Sequence, residues 1–140
     1  MAKIVFCEDE ELLQKLIRLI FRSTEHEVYI ASNGFEGFAL IEREVPDLIF
    51  TDISMPGYDG FQLADFIKAR PHLAAIPIIF VTAFAQRVDL EEGARHGATG
   101  YLLKPFSATE LRAAVDAVVV PQKKQNTGGC DGSSRPTEEK

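Results

Sequence analysis

The stretch LIFTDISMPGYDG, residues 48–60, contains the features that decide the fold. It begins with the apolar run from Leu48 to Phe50, which does not alternate with polar residues and is therefore typical of a strand buried on both faces of a sheet. Asp52 stands just past this run, and Pro56 and Gly57 are turn residues that shape the loop behind it. The stretch thus predicts a buried strand that leads into an acidic side chain.

Four other short apolar runs lie on either side of this stretch and are rich in β-branched or aromatic residues: 4–6, 28–30, 78–81 and 101–103. The segment from Leu13 to Phe21 carries apolar residues at the three- and four-residue spacings of a helix. Helical spacing recurs over residues 38–45, 63–67 and 111–118, and more weakly over residues 88–95. Strand and helix therefore alternate five times, which predicts an α/β fold with a doubly wound five-stranded parallel sheet flanked by five helices.

Local sequence also sets two helix boundaries and the extent of the domain. Ser107 and Glu110 have the spacing of a capping box at the start of the last helix, and Gly97 is placed to end the fourth helix in a left-handed conformation. We expect residues 1–120 to form a single domain. Residues 121–140 are polar and show no apolar periodicity, so they predict a disordered tail or a truncated linker.

The composition fits a packed, acidic domain. Apolar residues make up 46% of the chain and charged residues 26%, and the formal net charge of -6 disfavours direct binding to nucleic acid. The sequence shows neither a cleavable signal pattern nor an apolar span of about 20 residues, so we expect a cytoplasmic protein without a membrane segment. Cys7 and Cys130 have no metal-ligand spacing. The histidines at 26, 72 and 96 are scattered singly, and we assign them no chemistry.

A polar set follows four of the predicted strands: Glu8 and Asp9 after the first, Asp52 after the third, Thr82 after the fourth and Lys104 after the fifth. Because parallel strands place their carboxyl ends at one edge of the sheet, where such folds bind ligands, we expect these side chains to converge. Three crowded carboxylates repel one another unless a cation lies among them. Oxygen ligands with room for water suit Mg²⁺, so the sequence predicts an acidic magnesium site.

The same set predicts chemistry at phosphorus. Asp52 can act as a nucleophile and form an aspartyl phosphate if a metal and a fixed cation offset the charge of the incoming group. Lys104 supplies that cation. The hydroxyl of Thr82 can bond a phosphoryl oxygen and draw its loop inward, so phosphorylation would change the conformation.

Four motifs carry a family resemblance: Glu8-Asp9, the stretch 52–60, Val81-Thr82-Ala83 and the stretch GYLLKPF at 100–106. Each motif is weak alone, but their order and spacing are specific when taken together. Over residues 3–120 the chain resembles the receiver domains of two-component response regulators, including the chemotaxis regulators. The resemblance implies the flavodoxin-like receiver fold, with strand order 2-1-3-4-5.

The resemblance also implies a role for each site residue. Asp52 would accept a phosphoryl group from a sensor histidine kinase or a histidine phosphotransfer protein. Mg²⁺ would be held by Asp9, Asp52 and the backbone carbonyl of Ser54, with Glu8 holding metal-bound water. Ser54 and Phe84 stand where family members vary and would tune hydrolysis of the acyl phosphate.

The implied switch links this site to an outer face. Lys104 would pair with the phosphoryl group, Thr82 would bond it, and Tyr101 would turn inward and reshape the face formed by the fourth helix, fifth strand and fifth helix. That face would signal to a downstream protein target. The Lys104-Pro105 peptide is commonly cis in the family. On this reading the chain is not an enzyme beyond its own phosphorylation and autodephosphorylation.

Several other interpretations stay open on the sequence alone. A haloacid-dehalogenase-type phosphatase would need a second Asp where Ser54 stands, and a nucleotide-binding module would need a glycine-rich segment where Cys7 is followed by the acidic residues 8–10. A receiver used only as an unphosphorylated docking module is a third alternative. Tyr101 also fits a half-buried core aromatic. The apolar run 118–120 fits either a phosphorylation-linked homodimer surface or a frayed helix end.

Overall fold

The computed structural model describes the backbone of residues 2–83 and 87–128 and the side chains of residues 2–83 and 91–118. The strands are β1 (Lys3–Cys7), β2 (Glu27–Ala31), β3 (Leu48–Asp52), β4 (Ile78–Thr82) and β5 (Gly100–Leu103). The helices are α1 (Glu11–Arg22), α2 (Gly34–Glu44), α3 (Gly60–Lys68), α4 (Arg87–Arg95) and α5 (Ala108–Gly128). The strands pair in parallel in the order β2-β1-β3-β4-β5, which confirms the predicted fold class and strand order.

The core consists of two apolar layers, one on each face of the sheet. All residues of β3 and β4 are buried, as expected for strands covered on both faces. Phe6 and Phe50 stack with ring centroids 5.0 Å apart in the layer that α1 and α5 cover. Ile41 of α2 and Leu63 of α3 belong to the opposite layer, which these two helices cover. No helix in the described part of the chain is long and apolar enough to cross a membrane.

The helix ends follow local sequence signals. The Ser107 backbone N–H donates to the Glu110 carboxylate at 2.8 Å, and the Glu110 N–H donates to the Ser107 hydroxyl at 3.1 Å, which confirms the predicted capping box. Gly97 has a φ of +87° and follows α4, as predicted for a left-handed helix end. Asp59 caps α3 in the same reciprocal way, through Gln62.

The structure differs from the sequence-based expectation in where the last helix ends. We expected irregular chain from Pro121 onward, but α5 continues to Gly128. Gln and Lys are frequent between these positions and have good helix propensity, and extending an existing helix adds a hydrogen bond for each residue other than Pro121, which has no N–H to donate. Residues 129–140, the rest of the predicted tail, lie outside the described residues, and the domain boundary at residue 120 stays a prediction.

Val45 ends α2 in a conformation that its side chain disfavours. Its φ of 44° and ψ of 69° lie in the left-handed region, and its side chain is about half exposed. A β-branched residue there is a genuine outlier, because the Cβ crowds the following carbonyl oxygen. We expect Val45→Gly to raise the free energy of unfolding by about 1 kcal/mol, measured by urea denaturation. Val45→Ala keeps the Cβ, so an equal gain from that variant would contradict an origin in backbone strain.

Candidate functional site

The strand register brings the predicted polar set to one edge of the sheet. Cys7 in β1 pairs with Thr51 in β3, and Asp52 pairs with Val81 in β4. Thr82 in turn pairs with Leu103 in β5. Glu8, Asp52, Thr82 and Lys104 therefore line up along the carboxyl ends of β1, β3, β4 and β5, which are neighbours in the sheet. The sequence predicted this convergence from the positions of the strand ends.

Three carboxylates meet at this edge. Glu8, Asp9 and Asp52 each offer an oxygen that lies within 4.8 Å of the other two. Glu8 and Asp52 are buried, whereas Asp9 is exposed. A divalent cation with oxygen ligands fits this set, since it offsets the repulsion among the carboxylates and keeps water on the exposed side. The donor set therefore suits Mg²⁺.

Lys104 is the cation that contacts this cluster. Its Nζ lies 2.6 Å from Oδ2 of Asp52 and 2.9 Å from Oε1 of Glu8. Burial alone would lower the pKa of Lys104, but its hydrogen bonds with the two carboxylates outweigh that effect and raise the pKa. The lysine is thus held charged and in contact with the oxygen of Asp52.

Glu8 is fully buried, which is unusual for a carboxyl group. Burial raises its pKa, while the contact with Lys104 opposes that rise. Its Oε2 accepts a hydrogen bond from the Glu10 backbone N–H at 3.0 Å. These contacts fix Glu8 at the inner side of the cluster.

The loop after β3 packs closely around Asp52. The Ser54 backbone N–H donates to Oδ1 of Asp52 at 3.2 Å. A Cβ at Gly60 would lie only 2.6 Å from the Asp52 carbonyl oxygen, so a side chain there would displace the site backbone. The two carboxylate oxygens of Asp52 thus face different partners, Ser54 and Lys104. The role of the Ser54 carbonyl as a metal ligand stays a prediction.

Thr82 and Tyr101, the two residues of the predicted switch, lie at the end of β4 and in β5. Thr82 is buried at the end of β4, and its carbonyl accepts a hydrogen bond from the Lys104 N–H at 2.9 Å. Tyr101 is half-buried, and its hydroxyl lies so close to α4 that a Cβ at Gly93 would be 2.3 Å from it. Burial raises the pKa of Tyr101. The inward rotation of Tyr101 stays a prediction.

Two other sequence-based expectations concern the Lys104-Pro105 peptide and Phe84. The Lys104-Pro105 peptide is cis, as the resemblance implied. Phe84, which we expected to tune acyl phosphate hydrolysis, lies outside the described residues, as do the side chains of residues 119–120 in the apolar run.

Sequence reasoning missed a contact made by His96, which we had assigned no chemistry. Its Nδ1 lies 2.5 Å from Oδ1 of Asp65 in α3, and its Nε2 lies 2.8 Å from Oε2 of Glu92 in α4. The ring also stacks on Phe61, with centroids 5.0 Å apart. Because each ring nitrogen faces a carboxylate, the contacts suit the imidazolium form. The four-residue spacing of Glu92 and His96 was the available signal, but the contact with Asp65 depends on the tertiary fold.

His96 should make stability depend on pH. The Asp65 contact raises the pKa of His96 above its ordinary value of 6.5, partial burial opposes that rise, and Glu92 adds to it. A raised folded-state pKa means that the stabilisation is complete below the unfolded value and is lost as pH rises through the folded value. We expect His96→Gln to lower the thermal midpoint at pH 6 and to have less effect at pH 9. An effect independent of pH would contradict a role for the charged imidazolium.

Comparison with known proteins agrees with the geometry. Residues 4–116 match the family described as the response regulator receiver domain. Protein PilH of Pseudomonas aeruginosa is 35% identical over 119 residues, which cover 85% of this chain and 98% of that protein. The transcriptional regulatory protein RprY of Bacteroides fragilis is 37% identical over 117 residues, or 84% of this chain, but this chain spans only 49% of its length.

Solved structures show the same similarity. Chemotaxis protein CheY4 of Vibrio cholerae superimposes with a TM-score of 0.81 at 27% identity, covering 85% of this chain and 99% of that one. The receiver domain of a sensor histidine kinase from Pseudomonas aeruginosa, solved with a magnesium ion in its active-site cleft, gives a TM-score of 0.78 at 29% identity. That similarity covers 85% of this chain and 98% of the other.

Proposed function

The chain belongs to the response-regulator receiver family, and from that premise we propose that Asp52 accepts a phosphoryl group and that the protein relays the signal to another protein. The donor is a sensor histidine kinase or a histidine phosphotransfer protein. The observation that carries the proposal is the contact between the Asp52 carboxylate and Lys104, at 2.6 Å, beside the carboxylates of Glu8 and Asp9.

The proposed reaction has two steps at phosphorus. A carboxylate oxygen of Asp52 attacks the phosphorus of a phosphohistidine, forming an O–P bond while the P–N bond breaks. The ring nitrogen keeps the electron pair, and a proton from solvent keeps the donor's ring neutral. Water later attacks the same phosphorus, the bond to Asp52 breaks, and inorganic phosphate leaves. This autodephosphorylation restores the carboxylate and resets the protein.

Residues of the chain prepare the site for this transfer. Lys104 offsets charge on the incoming phosphoryl oxygens, and its existing contacts with Asp52 and Glu8 hold it in place. Asp9, Asp52 and the Ser54 carbonyl would hold Mg²⁺, and Glu8 would hold its water. When bound, Mg²⁺ supplies further neutralisation of the phosphoryl charge.

The donor reaches Asp52 from the side of α1 and the β5–α5 loop. An apolar cavity of about 340 Å³ opens there beside Lys104, between Leu13 and Leu16 of α1 and Pro105 and Phe106 of the loop. Apolar surface next to a charged site suits a protein partner better than a free small anion. This cavity supports docking of the phosphohistidine-bearing protein.

The output follows from Thr82 and Tyr101. Thr82 bonds the phosphoryl group and moves inward, and Tyr101 follows into the space that it leaves beside α4. The added charge of about -1.5 to -2 drives the change, which reshapes the α4-β5-α5 face for the downstream target. Formation of a phosphorylation-linked homodimer is one outcome that this face allows.

We infer three further properties of the chain. It performs no sustained turnover of an external substrate, since the strand-end set provides an acceptor but Ser54 replaces the second Asp of a phosphatase. Its net charge of -6 argues against direct nucleic-acid binding by this chain. It acts in the cytoplasm, where a histidine kinase donor would meet it.

The experiment that tests the proposal is the dependence of labelling on Mg²⁺. We expect incubation with acetyl phosphate to add one phosphoryl group to the intact mass of the protein, at an initial rate that falls roughly 100-fold when EDTA removes the metal. Asp9→Asn should raise the Mg²⁺ concentration needed for half the maximal rate by at least about tenfold. Glu11→Gln, a nearby exposed residue, is the matched control. Equal labelling with and without Mg²⁺ would contradict the metal role.

A further inference from the structure

β2 lies at one end of the sheet and pairs only with β1 among the described strands. The Glu27 N–H donates to the Ala2 carbonyl at 2.9 Å, and the Ala31 carbonyl accepts from the Glu8 N–H at 2.9 Å, so these two positions face β1. Alternate residues of a strand direct their backbone groups to opposite sides. Val28 and Ile30 therefore direct their N–H and C=O groups to the open edge, where an added strand would bond them.

A groove runs along this edge between two helices and has a volume of about 440 Å³. Its floor is formed by β2, and its walls come from α1 and α2. The lining residues are Arg18 from α1, Val28, Tyr29 and Ile30 from β2, and Glu36, Ala39, Leu40 and Arg43 from α2. The groove thus combines open backbone groups with apolar and cationic side chains.

The two arginines lie on opposite sides of the strand. Val28 and Ile30 pack against the core layer beneath α1, whereas Tyr29 packs against the layer beneath α2. Arg18 belongs to α1 and Arg43 to α2, so each face of the edge has one guanidinium. Successive side chains of an added strand would point to alternate faces of the sheet. Two adjacent residues of that strand would therefore contact Arg18 on one face and Arg43 on the other.

The charges of the groove favour an acidic occupant. The lining has two arginines and one carboxylate, that of Glu36, and the Glu44 carboxylate that binds Arg43 is shared with Lys3. The Arg43 side chain is 66% exposed, so its guanidinium can still meet a second carboxylate. The Glu36 carboxylate already accepts a hydrogen bond from the Ser32 N–H at 2.6 Å. Arg18 has no ion pair with any residue in the described part of the chain, whereas Arg43 pairs with Glu44 at 2.8 Å. Arg18 is therefore available to a partner.

We propose that the β2 edge is a docking site for an extended segment of a partner protein that carries two adjacent acidic residues. The segment adds as a sixth strand beside β2, bonding the backbone of Val28 and Ile30. One of its carboxylates meets Arg18 and the other meets Arg43. This surface is separate from the acidic site and does not require phosphorylation of Asp52.

The test uses two peptides of identical composition. In acetyl-Thr-Val-Glu-Glu-Val-Thr-amide the acidic residues are adjacent and point to opposite faces, whereas in acetyl-Thr-Glu-Val-Glu-Val-Thr-amide both point to one face. We expect the first peptide to bind more tightly, and to shift the NMR signals and slow the hydrogen exchange of the Val28 and Ile30 amides. Equal affinity for the two peptides, or unchanged amides, would overturn the proposal.

Variants of the protein test which side chains the peptide contacts. Arg18→Gln and Arg43→Gln should each weaken binding about fivefold, whereas Arg22→Gln, outside the groove, should leave it unchanged. Asp52→Asn should bind the peptide as the wild type does, so failure of the phosphorylation proposal would not affect this result. Concentration-dependent shifts of the same two amides without peptide would instead identify a second copy of the chain as the occupant and overturn the proposal.

Discussion

We expect replacement of Asp52 by Asn to yield a folded protein that takes up no phosphoryl group under conditions in which the wild type takes up one per chain. The amide has nearly the same shape as the carboxylate but lacks its nucleophilic oxygen. The effect is larger than any other that we expect, because the only other described carboxylate that contacts Lys104, that of Glu8, is fully buried and cannot replace Asp52 as the acceptor. Intact-mass spectrometry after treatment with phosphoramidate and Mg²⁺ measures it directly.

The fold should survive this change. Asp52 is one of three crowded carboxylates, so its neutralisation relieves repulsion, while Lys104 keeps its contact with Glu8 at 2.9 Å. We therefore expect the thermal midpoint of Asp52→Asn to equal or exceed that of the wild type. Asp116→Asn, at an exposed position on α5, serves as the control and should label normally. Labelling of Asp52→Asn at the wild-type rate would contradict the assignment of the acceptor.

Replacing Lys104 by Met should lower the initial rate of phosphoryl uptake about 100-fold, although Asp52 is still present. Methionine keeps the length and the apolar stem of the side chain but removes the cation that contacts the acceptor oxygen. Loss of the lysine slows the transfer step, because the negatively charged phosphoryl group must then enter a pocket with three carboxylates and without the cation of Lys104.

The control for this variant is Lys15→Met, which removes an exposed lysine from α1 and should change neither rate nor stability. Urea denaturation and circular dichroism of Lys104→Met distinguish a chemical role from a structural one. We expect a folded protein whose phosphoryl uptake, and whose response at the α4-β5-α5 face, fall far more than its stability. Loss of folding in proportion to loss of labelling would mean that Lys104 acts only as the structural partner of buried Glu8.

The sequence predicted those features that depend on local chemistry. Apolar runs such as Leu48 to Phe50 predicted buried strands because a strand covered on both faces has no polar alternation, and the runs are short and rich in β-branched or aromatic residues. The strand ends then placed Glu8, Asp52 and Lys104 together, since parallel strands share one carboxyl edge. The capping residues Ser107 and Glu110 also acted within a few positions of each other, so their hydrogen bonds were predictable.

Features that depend on distant neighbours were not predictable in the same way. His96 contacts Asp65 across two helices, and nothing in the sequence near either residue indicates that the helices meet there. Val45 takes a left-handed conformation against its own preference because the chain must turn from α2 toward β3. The groove beside β2 needs two arginines from different helices, and their positions on opposite faces of one strand follow only from the tertiary arrangement.

The most direct test of Asp52 as the phosphoryl acceptor is to locate the phosphoryl group within the chain. Wild-type protein is labelled with phosphoramidate and Mg²⁺ and then digested at acid pH. The masses of its fragments are measured before and after treatment with hydroxylamine. Hydroxylamine cleaves acyl phosphates but not phosphate esters of hydroxyl groups. We predict one added phosphoryl group on the fragment that contains Asp52, removed completely by hydroxylamine. A label on a fragment without Asp52 would contradict the assignment. So would a label that resists hydroxylamine, because a phosphate ester on Thr51 or Ser54 would behave in that way.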